Sequence, residues 1–554
     1  MRKNLIGSLL LAAFLFQSVA LAQAPALKIS SAERKMAEGV TAKQLSDYLY
    51  FVASDEMEGR DTPSRGLDTT AKFIAFNLSK WGFKPAGDDG TFFQKIALKS
   101  EVVDPSNTSV KIGDASFAYG DDVFRVAGNG SASGPMVFAG NGWVIKSKSI
   151  DAYSGVDISG KVVVVYGQGQ ARPDRGTNPP TGITAADMPG RAGTEWSDPI
   201  TYARTHGAKG VIVIASEQVQ SGWEQRRSAP VRPSMYPEKL RDAPSPLPVV
   251  LVSAKVGDAI LAGASGNRAS TSAFEIAREA TVNSATKADT KWTQNVVALW
   301  EGSDSTLKNE MVAIGAHYDH IGVSTNPNAL DKINNGADDD GSGTVSVLSI
   351  AEALAHSPTR PKRSVLFVWH CGEEKGLWGS AYFNKFPTVD IKQVTAQLNI
   401  DMIGRSKKPG YMAPCDTNPA PGRKPCNETL SGENQIYVIG KDMMSSGLGN
   451  IVSGVNAGYL NLNYDTRYDD PKDPNRFFFR SDHFNYAVNG IPIAFWFDGE
   501  HEDYHRPGDE PQKIDYNKME KVARSIMITL LKLADLKERP KIDKQLPPEL
   551  SQRN

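Results

Sequence analysis

At 554 residues the chain is too long for one ordinary domain, and its 40% apolar content is ample for roughly two to four separate cores. Lysine and arginine (62) almost balance aspartate and glutamate (63), leaving a net charge of -1. With neither a basic excess nor a basic block, the sequence points away from a nucleic-acid partner.

The first segment, MRKNLIGSLLLAAFLFQSVALAQA, joins two basic residues to an apolar run from Leu5 to Phe16 and a small-x-small site at Ala20–Ala22. This pattern predicts a signal peptide over residues 1–22 and an exported protein, periplasmic or secreted. The run is shorter than the ~18 residues of a membrane-spanning helix, and no later stretch is long enough, so no membrane span is expected. Cys415 and Cys426 bracket a Pro-rich loop and are expected to pair as a disulfide, leaving Cys371 over.

Next come two amphipathic helical segments, TAKQLSDYLYFVAS (41–54) and LDTTAKFIAFNLSKWGF (67–83), separated by the turn-rich EMEGRDTPSRG (56–66). Between 126 and 284 the short apolar runs KVVVVYG, GVIVIAS and PLPVVLVS alternate with Gly/Pro/Ser-rich connections, which predicts a small β-rich domain. Beyond NVVALWEG (295–302) strand-like runs alternate with helical segments. The strands are expected at 311–316, 364–369, 395–400, 435–440 and 491–496, and the helices at 343–356 and 517–536. Such alternation predicts an α/β core with a mostly parallel sheet flanked by helices. Residues 540–554, charged and Pro-containing, are expected to form a disordered tail.

Chemistry-bearing residues follow the predicted strands. His317 and Asp319 sit in GAHYDH, Asp338 in NNGADDDGSG just before a helix, Glu373 and Glu374 in GEEKGLWGS, Asp401 in LNIDMIG, and His505 in DYHRPGD. Strand C-termini of an open α/β sheet share one edge, where ligands bind, so these residues are expected to converge. Two imidazoles with several carboxylates and no thiolate suit zinc, with manganese and cobalt as competitors. Two ions need six donor positions, which five residues fill if one carboxylate is shared; Asp338 is the expected bridge. A calcium loop at NGADDDGSG fails, because Gly336 and Val347 stand where acids are needed. Of the other histidines, His320, His370, His483 and His501 are read as structural or rim residues, His483 being nearest to the pocket.

Over roughly 295–510 the motifs GAHYDH, NGADDDGSG, GEEKGLWGS, LNIDMIGR, FRSDHF and YHRPGD resemble, in order, those of the M28 family of co-catalytic zinc peptidases. The resemblance implies two zinc ions, with His317 and Asp401 on one, Glu374 and His505 on the other, and Asp338 shared. It puts Glu373 at the general-base position, facing water between the metals, and Asp319 at that of the acid that orients His317. The 126–284 segment resembles a protease-associated domain inserted ahead of a peptidase core at 285–538, with 30–125 packing on that core. The implied function is an exported aminopeptidase acting on peptides. A dipeptidase or carboxypeptidase of the same fold stays open, with Arg480 and Arg405 as carboxylate-binding candidates. A glutaminyl cyclase-like enzyme and a non-catalytic binding protein are more remote alternatives.

Overall fold

A computed structural model describes residues 25–167, 174–241, 245–408 and 429–551. The segment read as a signal peptide and the Cys415/Cys426 pair lie outside the described residues. Two compact units emerge, one formed by residues 1–96 and 293–554 and the other by 97–292. Among the described residues no helix is long and apolar enough to cross a membrane.

The first unit is built on a mixed sheet of β1 (Thr286–Trp300, through its 296–300 part), β2 (Met311–His317), β3 (Ser364–His370), β4 (Val394–Ile400), β5 (Gln435–Ile439), β6 (Asn463–Asp465) and β7 (Ile493–Phe497). Their order is β1-β3-β2-β4-β7-β5-β6. Strands β3, β2, β4 and β7 run parallel, while β1 and β5 pair antiparallel to their neighbours β3 and β7. Strands β2 and β3 are near-continuous apolar runs because helices cover both faces of the sheet; β4 alternates apolar residues with Thr395, Gln397 and Asn399, and every residue of the three strands is buried. Helices α3 (Gly343–Ala355) and α6 (Tyr516–Ala534) pack on β2 and β4. Helices α4 (Trp378–Lys385) and α5 (His483–Val488) pack together, with Phe383, Phe484 and Tyr486 joining Ala313, Leu366, Val368 and Ile493 in one apolar cluster.

The amphipathic segments near the N-terminus form the helices α1 (Ala42–Val52) and α2 (Arg65–Lys80), capped by Thr41 and Ser64. The first packs on α3 and α6, burying Leu45, Leu49 and Val52. The expected disordered tail is corrected for residues 540–551. Leu550 is buried in the cluster just described, Leu546 packs against it, and the Ser446 N–H donates to Asp543. Two apolar side chains within a charged, Pro-containing segment suffice to anchor it.

In the second unit the strands Gly130–Phe138, Val162–Tyr166, Gly210–Ile214 and Val249–Val252 lie side by side and parallel. This unit begins at 97 and ends at 292, where the sequence placed its edges at 126 and 284. The strand Ser109–Ile112 pairs with Phe274–Ser284, and Val123–Ala127 pairs with Val249–Val252. Residues 109–125 therefore belong with this sheet, through pairings with strands far along the chain that no local pattern announces.

Candidate metal centre

Strand β2 delivers His317 at the C-terminal edge of the sheet, β3 delivers Glu373 and Glu374 three and four residues past its end, and β4 delivers Asp401 directly after Ile400. His505 arrives from the loop after β7. The segment leading into α3 carries Asp338, Asp339 and Asp340, all buried. Its entry requires Gly336, at φ +58, since a Cβ there would lie 2.3 Å from the Asp339 carbonyl and 2.5 Å from His320 Cγ.

The three aspartates point to different tasks. Asp339 faces both halves of the site: its Oδ1 lies 3.3 Å from His317 Nε2 and its Oδ2 lies 3.1 Å from His505 Nε2. On one side Asp401 Oδ1 is 3.6 Å from His317 Nε2, and on the other Glu374 Oε2 is 3.1 Å from His505 Nε2. Asp340 is occupied by the backbone, accepting from the N–H groups of His317 (3.2 Å), Gly343 (2.9 Å) and Met402 (3.1 Å).

Asp338, expected as the bridge, turns away. Its Oδ1 accepts from the Gly404 N–H at 2.7 Å and its Oδ2 lies 3.4 Å from His501 Nε2. The correction has a physical cause: the Asp509 carboxylate accepts from the backbone N–H groups of Asp338 and Asp339, which sets the register of this loop and aims the next residue, Asp339, into the site. Asp509 is thus spent on that loop.

Asp319 acts in two places. Its backbone carbonyl is the near acceptor for His317 Nδ1 at 3.1 Å, with its carboxylate at 3.7 Å. The same carboxylate accepts from the Glu373 N–H at 3.1 Å, so it ties the loop of the histidine to the loop of the glutamates. His320, read from sequence as a rim residue, is fully buried within the cluster, its Nδ1 2.9 Å from Glu374 Oε1. Its signal was present in GAHYDH, three residues after His317. His483 is also fully buried, stacked on Phe495 at 4.3 Å rather than lining a cleft.

The donor set fits divalent cations. His317, Asp340 and Asp401 offer atoms within 4.8 Å of one another, and so do His320, Asp339 and Glu374. Because Asp340 already accepts three backbone N–H groups, Asp339 is the better third donor beside His317 and Asp401. Asp339 Oδ2 and Glu374 Oε1 are buried with only the imidazoles of His320 and His505 close by, and so many carboxylates packed together are costly unless cations compensate them. Nitrogen and oxygen donors with no thiolate suit zinc.

Charges at the site divide the two adjacent glutamates. Burial pushes the Glu373 carboxyl well above its ordinary range; His317 opposes the shift, and Glu374 and Asp401 reinforce it. Burial and Asp339 would raise Glu374 too, but hydrogen bonds from His320 and His505 bring it below the usual value. Beside Asp339 and Asp401 opens a small cleft with Met402, Phe477, Phe495 and Phe497 as apolar wall and Arg480, Glu500 and Tyr504 as polar rim. Arg480 pairs with Glu500 at 2.7 Å and donates to the Tyr504 hydroxyl at 3.1 Å.

An α/β core carries a double cluster of imidazole and carboxylate donors at its sheet edge, and residues 295–530 match the model of Peptidase family M28. The chain matches that model over less than half of its length. It is 34% identical over 118 residues to leupeptin-inactivating enzyme 1 of Streptomyces exfoliatus, covering 21% of this chain and 24% of that protein. It is 30% identical over 224 residues to leucine aminopeptidase 1 of Ajellomyces dermatitidis, covering 38% of this chain and 49% of that protein. The chain spans about half the length, or less, of the curated relatives it matches. Among solved structures it is similar to an aminopeptidase from Aneurinibacillus sp. strain AM-1, at 17% identity and a TM-score of 0.46, covering 93% of this chain and 98% of that one.

Proposed function

We propose that this chain is an exported, dinuclear zinc exopeptidase that removes N-terminal residues from peptides. The observation that carries the reading is the Asp339 carboxylate, whose two oxygens face His317 and His505 from a common centre. On this reading His317, Asp339 and Asp401 hold one ion, and Asp339, Glu374 and His505 hold the other. Zinc, when bound, supplies Lewis acidity that polarises the scissile carbonyl and eases deprotonation of water. Glu373 takes the proton of the attacking water and returns it to the leaving amine, a role open to a carboxylate that adjoins Glu374 and holds no ion itself. Asp319 keeps the base in place through the Glu373 N–H. The segment 97–292 is read as the protease-associated insert, on its position ahead of the peptidase core.

Aminopeptidase action is favoured over carboxypeptidase or dipeptidase action by the state of the two candidate arginines. Arg480 is paired with Glu500, and Arg405 with Glu502 (3.2 Å) and Asp503 (3.1 Å), so both guanidinium groups are engaged. Among the described residues the cleft beside Asp339 and Asp401 thus offers no unpaired guanidinium to a free carboxylate. The aromatic wall suits an apolar first side chain.

Elemental analysis of the purified protein, combined with hydrolysis of free, N-blocked and C-blocked peptides with and without chelator, tests the proposal. Two zinc ions per chain and chelator-sensitive cleavage of free and C-blocked peptides are expected. A single ion, or cleavage that survives N-blocking and is stopped by C-blocking, overturns it.

A further inference from the structure

We propose that Arg60, from the N-terminal segment outside the family-matched region, is a positioning residue of the metal centre that clamps its ligand-bearing loops together. Arg60 is fully buried, and its guanidinium is spent entirely on backbone carbonyls. Nε donates to Tyr318 O (2.9 Å), one Nη to Val52 O (2.8 Å) and Asn335 O (2.7 Å), and the other to Gly336 O (2.8 Å). Tyr318 follows His317 directly. Asn335 and Gly336 lead into Asp338 and Asp339. Val52 ends the helix Ala42–Val52, where a cation is favoured by the free carbonyls.

The backbone around Arg60 is shaped to the same end. Glu58, Gly59 and Arg60 all adopt positive φ (50, 65 and 48), unusual for two side-chain-bearing residues in three. This turn is held by hydrogen bonds from the His320 N–H to Arg60 O (3.2 Å) and from the Gly322 N–H to Gly59 O (3.0 Å). A Cβ on Gly59 would lie 2.4 Å from Asn334 O and 2.8 Å from Gly322 O, so the turn fits between the two loops with no room to spare. Two residues on, Thr62 Oγ1 accepts from the Gly372 N–H at 3.1 Å and Asp61 pairs with Lys375 at 2.6 Å, which reaches the loop of Glu373 and Glu374. Residues 59–62 thus touch three ligand loops that β2, α3 and β3 deliver separately. A guanidinium suits the task because its planar fork reaches several carbonyls at once, which an ammonium on a flexible stem cannot. Although burial lowers its pKa to about 10, it stays cationic at neutral pH, drawn by Asp319, Asp339, Asp340 and Asp509.

The inference rests on the proposed metal centre, and its test keeps the two apart. Wild-type protein, R60K and R60M are loaded with cobalt(II), and the d–d absorption of the bound ions is read alongside kcat and KM for the zinc forms. Folding is checked by circular dichroism. Expected for R60M is a folded protein with a changed cobalt spectrum and kcat lowered about 10- to 100-fold at little-changed KM, the size seen when groups supporting metal ligands are lost. R60K, which keeps the charge and loses the fork, is expected to fall between the two. Should R60M not fold, R60K carries the test. Wild-type spectrum and kcat in folded R60M, or in R60K where only that variant folds, overturn the inference. If wild-type protein neither binds cobalt nor cleaves peptides, the proposed function fails instead.

Discussion

In the first unit the parallel strands Met311–His317, Ser364–His370 and Val394–Ile400 run out into His317, the Glu373–Glu374 pair and Asp401; in the second, Val162–Tyr166, Gly210–Ile214 and Val249–Val252 run out into Gly167, Ala215 and Ser253. The strand interiors are alike, with Val162–Val165 and Val249–Val252 as deeply buried as Val312–Ala316. The edges are not. Among the described residues, every cluster of metal-ligand type falls in the first unit. A parallel sheet therefore supplies a place where loops converge, and only the residues on those loops decide whether chemistry happens there. In the second unit the same edge is used for helix caps, Ser253 opening the helix Ala254–Leu261.

The strongest way to sharpen that contrast lies within one loop. Asp339→Ala removes the carboxylate facing both halves of the site, so zinc content is expected to fall from two ions and peptidase activity to the chelator-treated background. Asp338→Ala, one residue earlier, removes only the contacts to Gly404 and His501, with a loss of about 10- to 100-fold in affinity or activity. Elemental analysis of both variants decides the matter. The opposite ranking would return the bridge to Asp338.

Glu373→Gln comes next. The substitution keeps the shape and leaves the donor set of His317, Asp339, Asp401, Glu374 and His505 intact, so metal content is expected to match wild type while kcat falls by about 10²- to 10⁴-fold. A variant retaining more than a tenth of the wild-type kcat would break the assignment of the base, whatever its metal content.

How much of this site was legible follows from the same comparison. His317 and Glu374 follow apolar runs and Asp401 follows an alternating one, all of which read as strands, so their convergence could be foreseen from the rule that strand ends share an edge. Asp339 could not. Three consecutive aspartates lie in an irregular segment where neither period 2 nor period 3.6 assigns a direction. Their aim is set by Asp509 and by the N–H groups of Gly343 and Met402, partners distant in sequence from one another. Arg60 was hidden for the same reason, since its partners Tyr318 and Gly336 come hundreds of residues later. The second unit's edges were blurred because Ser109–Ile112 joins its sheet through pairing with Phe274–Ser284. The tail escaped because its composition outweighs two apolar residues that find a place in the core.

A smaller effect separates stability from chemistry within the first unit. Asp469 accepts from the Gly440 N–H at 2.7 Å, yet burial pushes its pKa to about 7 from an ordinary 3.8, with Lys441 opposing and Asp442 adding to the rise. The folded state therefore binds a proton more tightly than the unfolded chain does. Its contribution to stability is lost as pH rises from the ordinary value through about 7. Asp469→Asn, which keeps an acceptor for Gly440, is expected to leave stability unchanged at low pH and to raise it by about 2 kcal/mol above neutrality, allowing for the part of the side chain in contact with solvent. Urea unfolding at the two ends of that pH range measures it. A variant whose stability runs parallel to wild type across the range would remove the group from the list of pH-sensing residues.

The smallest effect tests the second unit alone. Ser253 Oγ accepts from the Val256 N–H at 3.4 Å and donates to Asp122 Oδ1 at 2.8 Å, so Ser253→Ala deletes a helix cap and leaves a carboxylate without one donor. The expected cost is about 1 kcal/mol of stability, read as a shift of the unfolding midpoint in urea. The residues assigned to the metal centre all lie in the first unit, so kcat on small aminoacyl substrates should equal that of wild type. A fall in kcat at unchanged zinc content would mean that the edge occupied by Ser253 takes part in turnover, and the division between a chemical edge and a structural edge would then no longer hold.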